Sequence, residues 1–251
     1  MLKILFLLPL LAFSDQNLDL KYLQSKLSSK VITVDDPVYK KKKTFEGFLL
    51  TEVIKLLNLK NKEEEIEFHC LDGYKPVIDL DLIEKGQPYL VYRDVEFKDW
   101  EEFEVGKSKK TPGPFYLIWP SKIEEANWPY QVIGIYQVDF SKKYSKTFPQ
   151  NLKKNSEEIK RGFHVFRKHC LKCHSINLEG GELGPELNIP KNITEYRSQK
   201  YLKEFILDSN SFRLKSPMPP FKDILTNQEI GEVLSYISWM KRSKFADPAA
   251  H

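Results

Sequence analysis

Short apolar runs separated by polar turns fill the first half of the chain, and such runs predict β-strands. A longer apolar segment over residues 48–57 predicts a short helix, and Asp72-Gly73-Tyr74 and Gly113-Pro114 are turn signals. We therefore expect a mixed α+β, strand-rich domain over residues 15–145. The predicted strands are Val31–Val34, Ile66–Cys70, Tyr89–Tyr92, Phe115–Trp119 and Val132–Val138.

The last third of the chain changes to helical spacing. A capping box, Thr226-Asn227-Gln228-Glu229, precedes an apolar stripe with a period of about 3.6, and Tyr201–Ile206 predicts another helix. We expect an all-α domain over residues 157–246, joined to the first domain by a polar linker at residues 146–156. The stripe consists of Ile230, Val233, Leu234, Ile237 and Met240.

The first residues have the pattern of a secretory signal. A basic start at Lys3 is followed by an apolar run over residues 4–13 and by the small residue Ser14. Because a membrane span needs about 20 apolar residues, we expect a signal peptide at residues 1–14 that is removed on export. An uncleaved anchor is the alternative. No later stretch is apolar enough to cross a bilayer, so we expect no integral span in the mature chain.

Composition and charge indicate folded domains but exclude few classes of function. The chain has 251 residues, of which 41% are hydrophobic and 29% are charged, which is typical of folded globular domains. The net charge is +4, and the basic excess lies in the C-terminal third. This excess fits either a surface that attracts an acidic partner or an ordinary solvated surface. The Lys40–Lys43 run lacks interleaved aromatics, which favours a lysine-rich loop between strands over nucleic-acid binding.

The sequence Cys170-Leu171-Lys172-Cys173-His174 is the strongest chemical signal in the chain. A C-x-x-C-H motif is the attachment sequence of a c-type haem, because each thiol can form a thioether to the porphyrin and the adjacent imidazole can reach the iron. A zinc pair would need a second ligand pair, and no cysteine follows Cys173. A redox dithiol gives no reason for His174. We therefore expect one covalently bound haem c.

Met218 is the strongest candidate for the second axial ligand of that iron. Haem electron carriers commonly pair His with Met. Met1 falls in the predicted signal peptide, and Met240 falls in the apolar stripe of a helix. Met218 lies between Pro217 and Pro219, and prolines make such a segment stiff and extended. The alternative role for Met218 is that of a gap-filling core side chain.

Residues 153–246 resemble a class I cytochrome c. The resemblance rests on the C-x-x-C-H motif, on Gly162-Phe163-His164-Val165-Phe166 before it, and on Gly184-Pro185-Glu186-Leu187 after it. The family implies that the Pro185 carbonyl accepts a hydrogen bond from the proximal imidazole of His174, which fixes the ring. It also implies redox protein partners. In bacterial members haem is attached outside the inner membrane, so the expected location is the periplasm.

The N-terminal domain resembles the small molybdopterin-binding oxidoreductase domain of the sulfite oxidase fold. The resemblance rests on Thr44–Leu50, on Cys70-Leu71-Asp72-Gly73-Tyr74 and on Gly113–Pro120. In catalytic relatives a cysteine thiolate coordinates molybdenum, and Cys70 lies near that position. Arg93 is the only arginine of the domain, so the basic cluster expected for a pterin phosphate is missing. Cys70 is therefore either a molybdenum ligand or a partly buried structural thiol.

Three functions are compatible with these motifs. The first is single-electron transfer through the haem, with the N-terminal domain serving docking or architecture. The second is a molybdenum-dependent oxidoreductase whose fused haem accepts or donates the electrons. The third is a haem sensor that exchanges Met218 for a diatomic ligand. No acid/base pair or nucleophile has convincing spacing, so hydrolytic chemistry is not indicated, and the oligomeric state is left open.

Overall fold

The fold consists of a strand-rich N-terminal region followed by a helical C-terminal region, as predicted. The structure is a computed structural model that describes residues 18–59, 64–97, 99–123, 126–152 and 156–245. The predicted signal peptide and residues 153–155 of the predicted linker lie outside the described residues. No helix among the residues described is both long and apolar enough to span a membrane.

The N-terminal region is built from short strands and short helices. In chain order these are α1 (Leu20–Lys26), β1 (Lys30–Asp36), β2 (Lys41–Leu49), α2 (Leu50–Leu56), β3 (Glu65–Cys70), β4 (Val77–Ile78), α3 (Leu80–Gly86), β5 (Tyr89–Asp94), β6 (Phe103–Val105), β7 (Ser108–Lys110), β8 (Tyr116–Ile118), β9 (Val132–Val138) and α4 (Phe140–Lys143). One antiparallel sheet has the order β1-β2-β5-β8 and a second has the order β4-β3-β9, while β6 and β7 form a hairpin.

Buried apolar residues of both sheets and of α2 form one core. Phe48 and Leu90 come from the four-stranded sheet, Phe68 and Ile135 come from the three-stranded sheet, and Val53 comes from α2. All five side chains are fully buried. The five predicted strands are confirmed as β1, β3, β5, β8 and β9. Apolar runs bounded by turn residues were therefore a reliable strand signal in this region.

Lys40 lies in the turn between β1 and β2, but the other three lysines of the Lys40–Lys43 run belong to a strand, so the prediction of a loop is wrong for them. The strand β2 begins at Lys41 and continues through Lys43. Because side chains of a strand alternate between its two faces, Lys43 points inward, where it is fully buried. Its ammonium group lies 2.6 Å from an oxygen of Asp94 and 2.8 Å from an oxygen of Glu101. These carboxylates supply the countercharge that a buried ammonium requires.

The C-terminal region is mainly helical. Its elements are α5 (Glu157–Val165), β10 (Ser175–Ile176), β11 (Glu179–Gly180), α6 (Gln199–Leu207), α7 (Ser209–Phe212) and α8 (Asn227–Met240). The crossing of α5 and α8 is close at Gly162, where a Cβ atom would lie 2.0 Å from the carbonyl oxygen of Glu232. Glycine permits this close crossing because it has no Cβ atom. The predicted capping box is confirmed, since Thr226 and Glu229 each bond the other's backbone amide at the start of α8.

The residues that join the two regions pack against both of them. Tyr144 belongs to the apolar core of the helical region, and its hydroxyl donates a hydrogen bond to Glu67 of β3. The carbonyl of Thr147 accepts a hydrogen bond of 2.6 Å from the hydroxyl of Tyr236 in α8. The two regions therefore share a packed interface in the structure.

Candidate haem-binding site

The C-x-x-C-H motif lies at the C-terminal end of the first helix of the helical region. A π-helical turn over Phe166–Cys170 follows α5. The carbonyl of Cys170 accepts hydrogen bonds from the amide of Cys173 at 3.0 Å and from the amide of His174 at 2.8 Å. The carbonyl of Cys173 accepts a further bond of 2.7 Å from the amide of Gly184. This tight turn holds both cysteines and the histidine together at one helix end.

The imidazole of His174 is held by the loop that follows the motif. Its Nδ1 lies 2.8 Å from the carbonyl oxygen of Pro185, and because a carbonyl only accepts, Nδ1 carries the hydrogen. The ring lies against Gly184, where a Cβ atom would be 2.5 Å from a ring carbon. Burial lowers the pKa of His174, although the Pro185 carbonyl opposes this effect. The imidazole is therefore neutral, and its Nε2 can bind a metal ion.

The two thiols of the motif have high pKa values. Burial raises the pKa of Cys170 to about 12 and that of Cys173 to about 11. A redox dithiol of the thioredoxin kind needs a lowered pKa, so these values argue against that alternative. Both cysteines are free of disulfides. Two free thiols beside one neutral imidazole are the donor set that covalent haem attachment uses, so the residues fit the group.

Met218 lies in the loop between α7 and α8 and is half-buried against the core of the helical region. The hydroxyl of Ser209 donates a hydrogen bond of 2.5 Å to the carbonyl of Met218, and the amide of Met218 donates one of 3.3 Å to the hydroxyl of Ser216. These bonds hold the backbone that carries the thioether. Met240 is fully buried in α8. The ligand role of Met218 stays a prediction.

Cys70 ends β3 in the N-terminal region and is buried. Burial raises the pKa of its thiol, and the carboxylate of Asp72 raises it further. The group is therefore protonated at neutral pH. Arg93 is ion-paired with Glu46, which occupies its guanidinium group. The described part of the chain has no group of three or more His, Cys, Asp or Glu side chains placed to hold a metal ion. The surroundings of Cys70 do not fit a molybdenum cofactor.

The N-terminal region contributes contacts to the C-x-x-C-H motif that the sequence reasoning missed. The amide of Lys75 donates a hydrogen bond of 2.8 Å to the carbonyl of Lys172, inside the motif. The Lys172 ammonium group donates one of 2.7 Å to the side-chain oxygen of Asn127. No local pattern could have indicated these pairs, because the partners lie far apart in sequence.

Comparison with known proteins identifies one part of the chain. The cytochrome c family model matches residues 159–241, which include the C-x-x-C-H motif, the loop after it and all of α8. A search of the curated proteins finds no match. The sulfite-oxidase resemblance of the N-terminal region stays a prediction. The match supports a C-terminal cytochrome c domain, and the cytochrome c family implies covalently bound haem c, haem-based electron transfer and redox partners.

Proposed function

We propose that this chain is an exported, periplasmic c-type cytochrome that transfers single electrons through one covalently bound haem. The observation that carries the proposal is the arrangement of the motif. The thiols of Cys170 and Cys173 are free, and the Pro185 carbonyl occupies Nδ1 of His174 and leaves Nε2 open. Thioether attachment beside an iron ligand requires these three open groups.

Each residue of the site has one task in the proposed function. Cys170 and Cys173 hold the porphyrin through thioether bonds, and His174 binds the iron through Nε2. Met218 would supply a thioether as a further ligand to that iron, and such a ligand raises the reduction potential relative to harder ligands. Pro185 fixes the orientation of the His174 ring. A bound haem supplies one-electron chemistry at its iron, and the buried apolar residues of the helical region keep water away from it.

Two features support export. Lys3 followed by the apolar run over residues 4–13 is the pattern of a cleaved signal. Covalent haem attachment in bacterial members of the cytochrome c family takes place outside the inner membrane. The two features are independent, since one lies in the first residues and the other in the last third of the chain.

The first test of the proposal is the state of the exported, purified full chain. We expect its polypeptide mass to include one haem, and the colour to remain with the protein after extraction with acidified acetone. Metal analysis should give one iron per chain and no molybdenum. Replacing Cys170 and Cys173 by Ala should abolish covalent attachment. A colourless protein with an unmodified mass contradicts the proposal.

The second test concerns the axial ligand. Met218→Ala should leave the haem covalently bound, lower its reduction potential and allow carbon monoxide to bind the reduced protein, because the thioether is lost and a coordination position opens. Met240→Leu is the matched control: Met240 is buried in α8, and we expect its replacement to leave both readouts unchanged. Rapid carbon monoxide binding by the unmodified protein would instead favour the sensor function.

A further inference from the structure

The N-terminal region contacts the haem-attachment motif through its Cys70–Lys75 turn. The amide of Lys75 donates a hydrogen bond of 2.8 Å to the carbonyl of Lys172, between the two cysteines of the motif. The carbonyl of Gly73 accepts a second bond of 2.8 Å from the amide of Glu182. The Lys75 ammonium group also forms an ion pair of 2.5 Å with Glu182. Two backbone hydrogen bonds from one turn fix its position relative to the motif.

Asn127 reinforces this contact from a neighbouring loop. Its side-chain oxygen accepts hydrogen bonds from the ammonium group of Lys172 at 2.7 Å and from the hydroxyl of Tyr74 at 3.0 Å. Its own carbonyl accepts a bond of 2.8 Å from the indole of Trp119, a core residue of the N-terminal region. Asn127 therefore links the C-x-x-C-H motif to the apolar core of the N-terminal region.

A second contact reaches the loop that carries Met218. In the β6–β7 hairpin, Gly106 lies so close to this loop that a Cβ atom would be 2.8 Å from the carbonyl oxygen of Lys215. The carboxylate of Glu104 lies 3.4 Å from the ammonium group of Lys215. The N-terminal region thus touches both segments of the chain that carry the proposed axial ligands, His174 and Met218.

We propose that the N-terminal region is a built-in cap over the haem edge attached to Cys173. The inference rests on the proposed function. A haem joined to the sulfur of Cys173 has part of its perimeter there, so residues that pack beside Cys173 border the haem. The Cys70–Lys75 turn and Asn127 supply these residues, and the β6–β7 hairpin contacts the loop that carries Met218.

Tyr74 lies within this turn and is partly buried, and burial raises the pKa of its hydroxyl well above its usual range. Excluding water from a haem edge disfavours the oxidised form, which carries the extra positive charge, so the cap raises the reduction potential. It also keeps small reductants and unrelated proteins away from this edge. A redox partner then docks elsewhere or reaches the haem across the cap.

The test uses the haem-loaded full chain with Asn127→Ala, which removes the shared acceptor of Lys172 and Tyr74. We expect covalent haem to be retained and the equilibrium to shift about tenfold toward the oxidised form, which is about 59 mV for a one-electron couple. Reduction by ascorbate should become several-fold faster. Asn127→Gln keeps the amide acceptor and should remain near the unmodified values. Gly106→Val, which pushes the hairpin away from Lys215, should act in the same direction as Asn127→Ala.

The outcomes separate this inference from the proposed function. An unmodified protein without covalent haem contradicts the proposed function and the cap together. An unmodified protein with covalent haem, in which neither Asn127→Ala nor Gly106→Val changes the potential or the ascorbate rate, contradicts only the cap. Hydrogen exchange gives an independent measurement: the amides of Lys75 and Glu182 should be protected in the unmodified holoprotein. Exchange at the rate of an open loop overturns the cap even where a variant loses its haem.

Discussion

The two regions of the molecule bury polar groups of different kinds. Among the described residues, every charged side chain with no more than 1% exposure lies in the N-terminal region. The helical region buries neutral amides to the same extent. The buried charged residues are Asp36, Lys43, Glu67 and Asp94, and the buried amides are Asn177, Asn188 and Asn192.

The amides of the helical region form a chain of hydrogen bonds. Asn188 donates to the side-chain oxygen of Asn177 and accepts from Asn192, both at 2.8 Å. Asn188 also donates to the carbonyl of Met240 at 3.0 Å, and Asn192 donates to the carbonyl of Ile237 at 2.8 Å. The last carbonyls of a helix have no partner within it, so these amides complete the end of α8.

The difference indicates how each region responds to its surroundings. The chain of amides fixes the loop over residues 177–192, which includes Pro185 and therefore the contact to His174. Because amides do not titrate, the hydrogen bonds between these side chains are independent of pH, although the Glu186 carboxylate also accepts backbone bonds in this loop. The buried charges of the N-terminal region depend on complete pairing, and an unpaired buried charge is costly. We therefore expect the N-terminal region to be the more easily disrupted by a single replacement or by acid.

The largest expected effect is that of Lys43→Met. The replacement leaves Asp94 buried without its partner, and breaking a buried ion pair in this way costs about 3–5 kcal/mol. Hydrogen exchange followed by region should show the loss in β2 and β5 and leave α5 and α8 nearly unchanged. Chemical denaturation of the same variant measures how much the free energy of unfolding falls.

The matched control for this prediction removes both charges. Lys43→Met combined with Asp94→Leu should recover most of the stability, since replacing a whole buried pair by apolar groups is often close to neutral. Equal destabilisation by the single and the double variant would mean that the Lys43–Asp94 pair is not what holds this part of the sheet.

Asn188→Ala should have the next largest effect, and it should appear in the other region. The replacement leaves Asn177, Asn192 and the Met240 carbonyl with unmade hydrogen bonds, and each unsatisfied buried group costs about 1–3 kcal/mol. We expect a total loss of about 2–4 kcal/mol. Hydrogen exchange measures this loss, and we expect faster exchange at the end of α8. The exposed Asn227→Ala, in the first turn of α8, should be nearly neutral, and equal losses in the two variants would contradict the role of the buried amides.

The sequence predicted what depends on local spacing and missed what depends on tertiary contact. The C-x-x-C-H motif and the strands could be read from spacing alone. The strand that includes Lys43 was missed because buried lysines are rare and a run of charges hides the strand pattern. Because that strand was missed, the helix predicted over residues 48–57 began too early: Phe48 and Leu49 are the last residues of β2, and α2 begins at Leu50. The bond between Lys75 and Lys172 joins two regions, and no single-sequence pattern encodes it.

The third prediction concerns the response to acid, with Glu67 as the sensitive group. Burial by itself raises the pKa of this carboxyl, but hydrogen bonds from His69, Lys143 and Tyr144 outweigh it and hold the pKa below its usual range. A lowered pKa in the folded state adds stability above the unfolded value of about 4.3. This contribution is lost as the pH falls below that value toward the folded pKa. We therefore expect the contact between β3 and Tyr144 to weaken in acid.

Glu67→Gln separates this carboxyl from the other acidic groups. The variant should lose about 1.5–3 kcal/mol at neutral pH, the range for a hydrogen bond to a charged group. Between neutral pH and pH of about 3 its stability should fall less steeply than that of the unmodified chain, because the titrating group is gone. Parallel acid dependence in the variant and the unmodified chain would assign the response to a group other than Glu67.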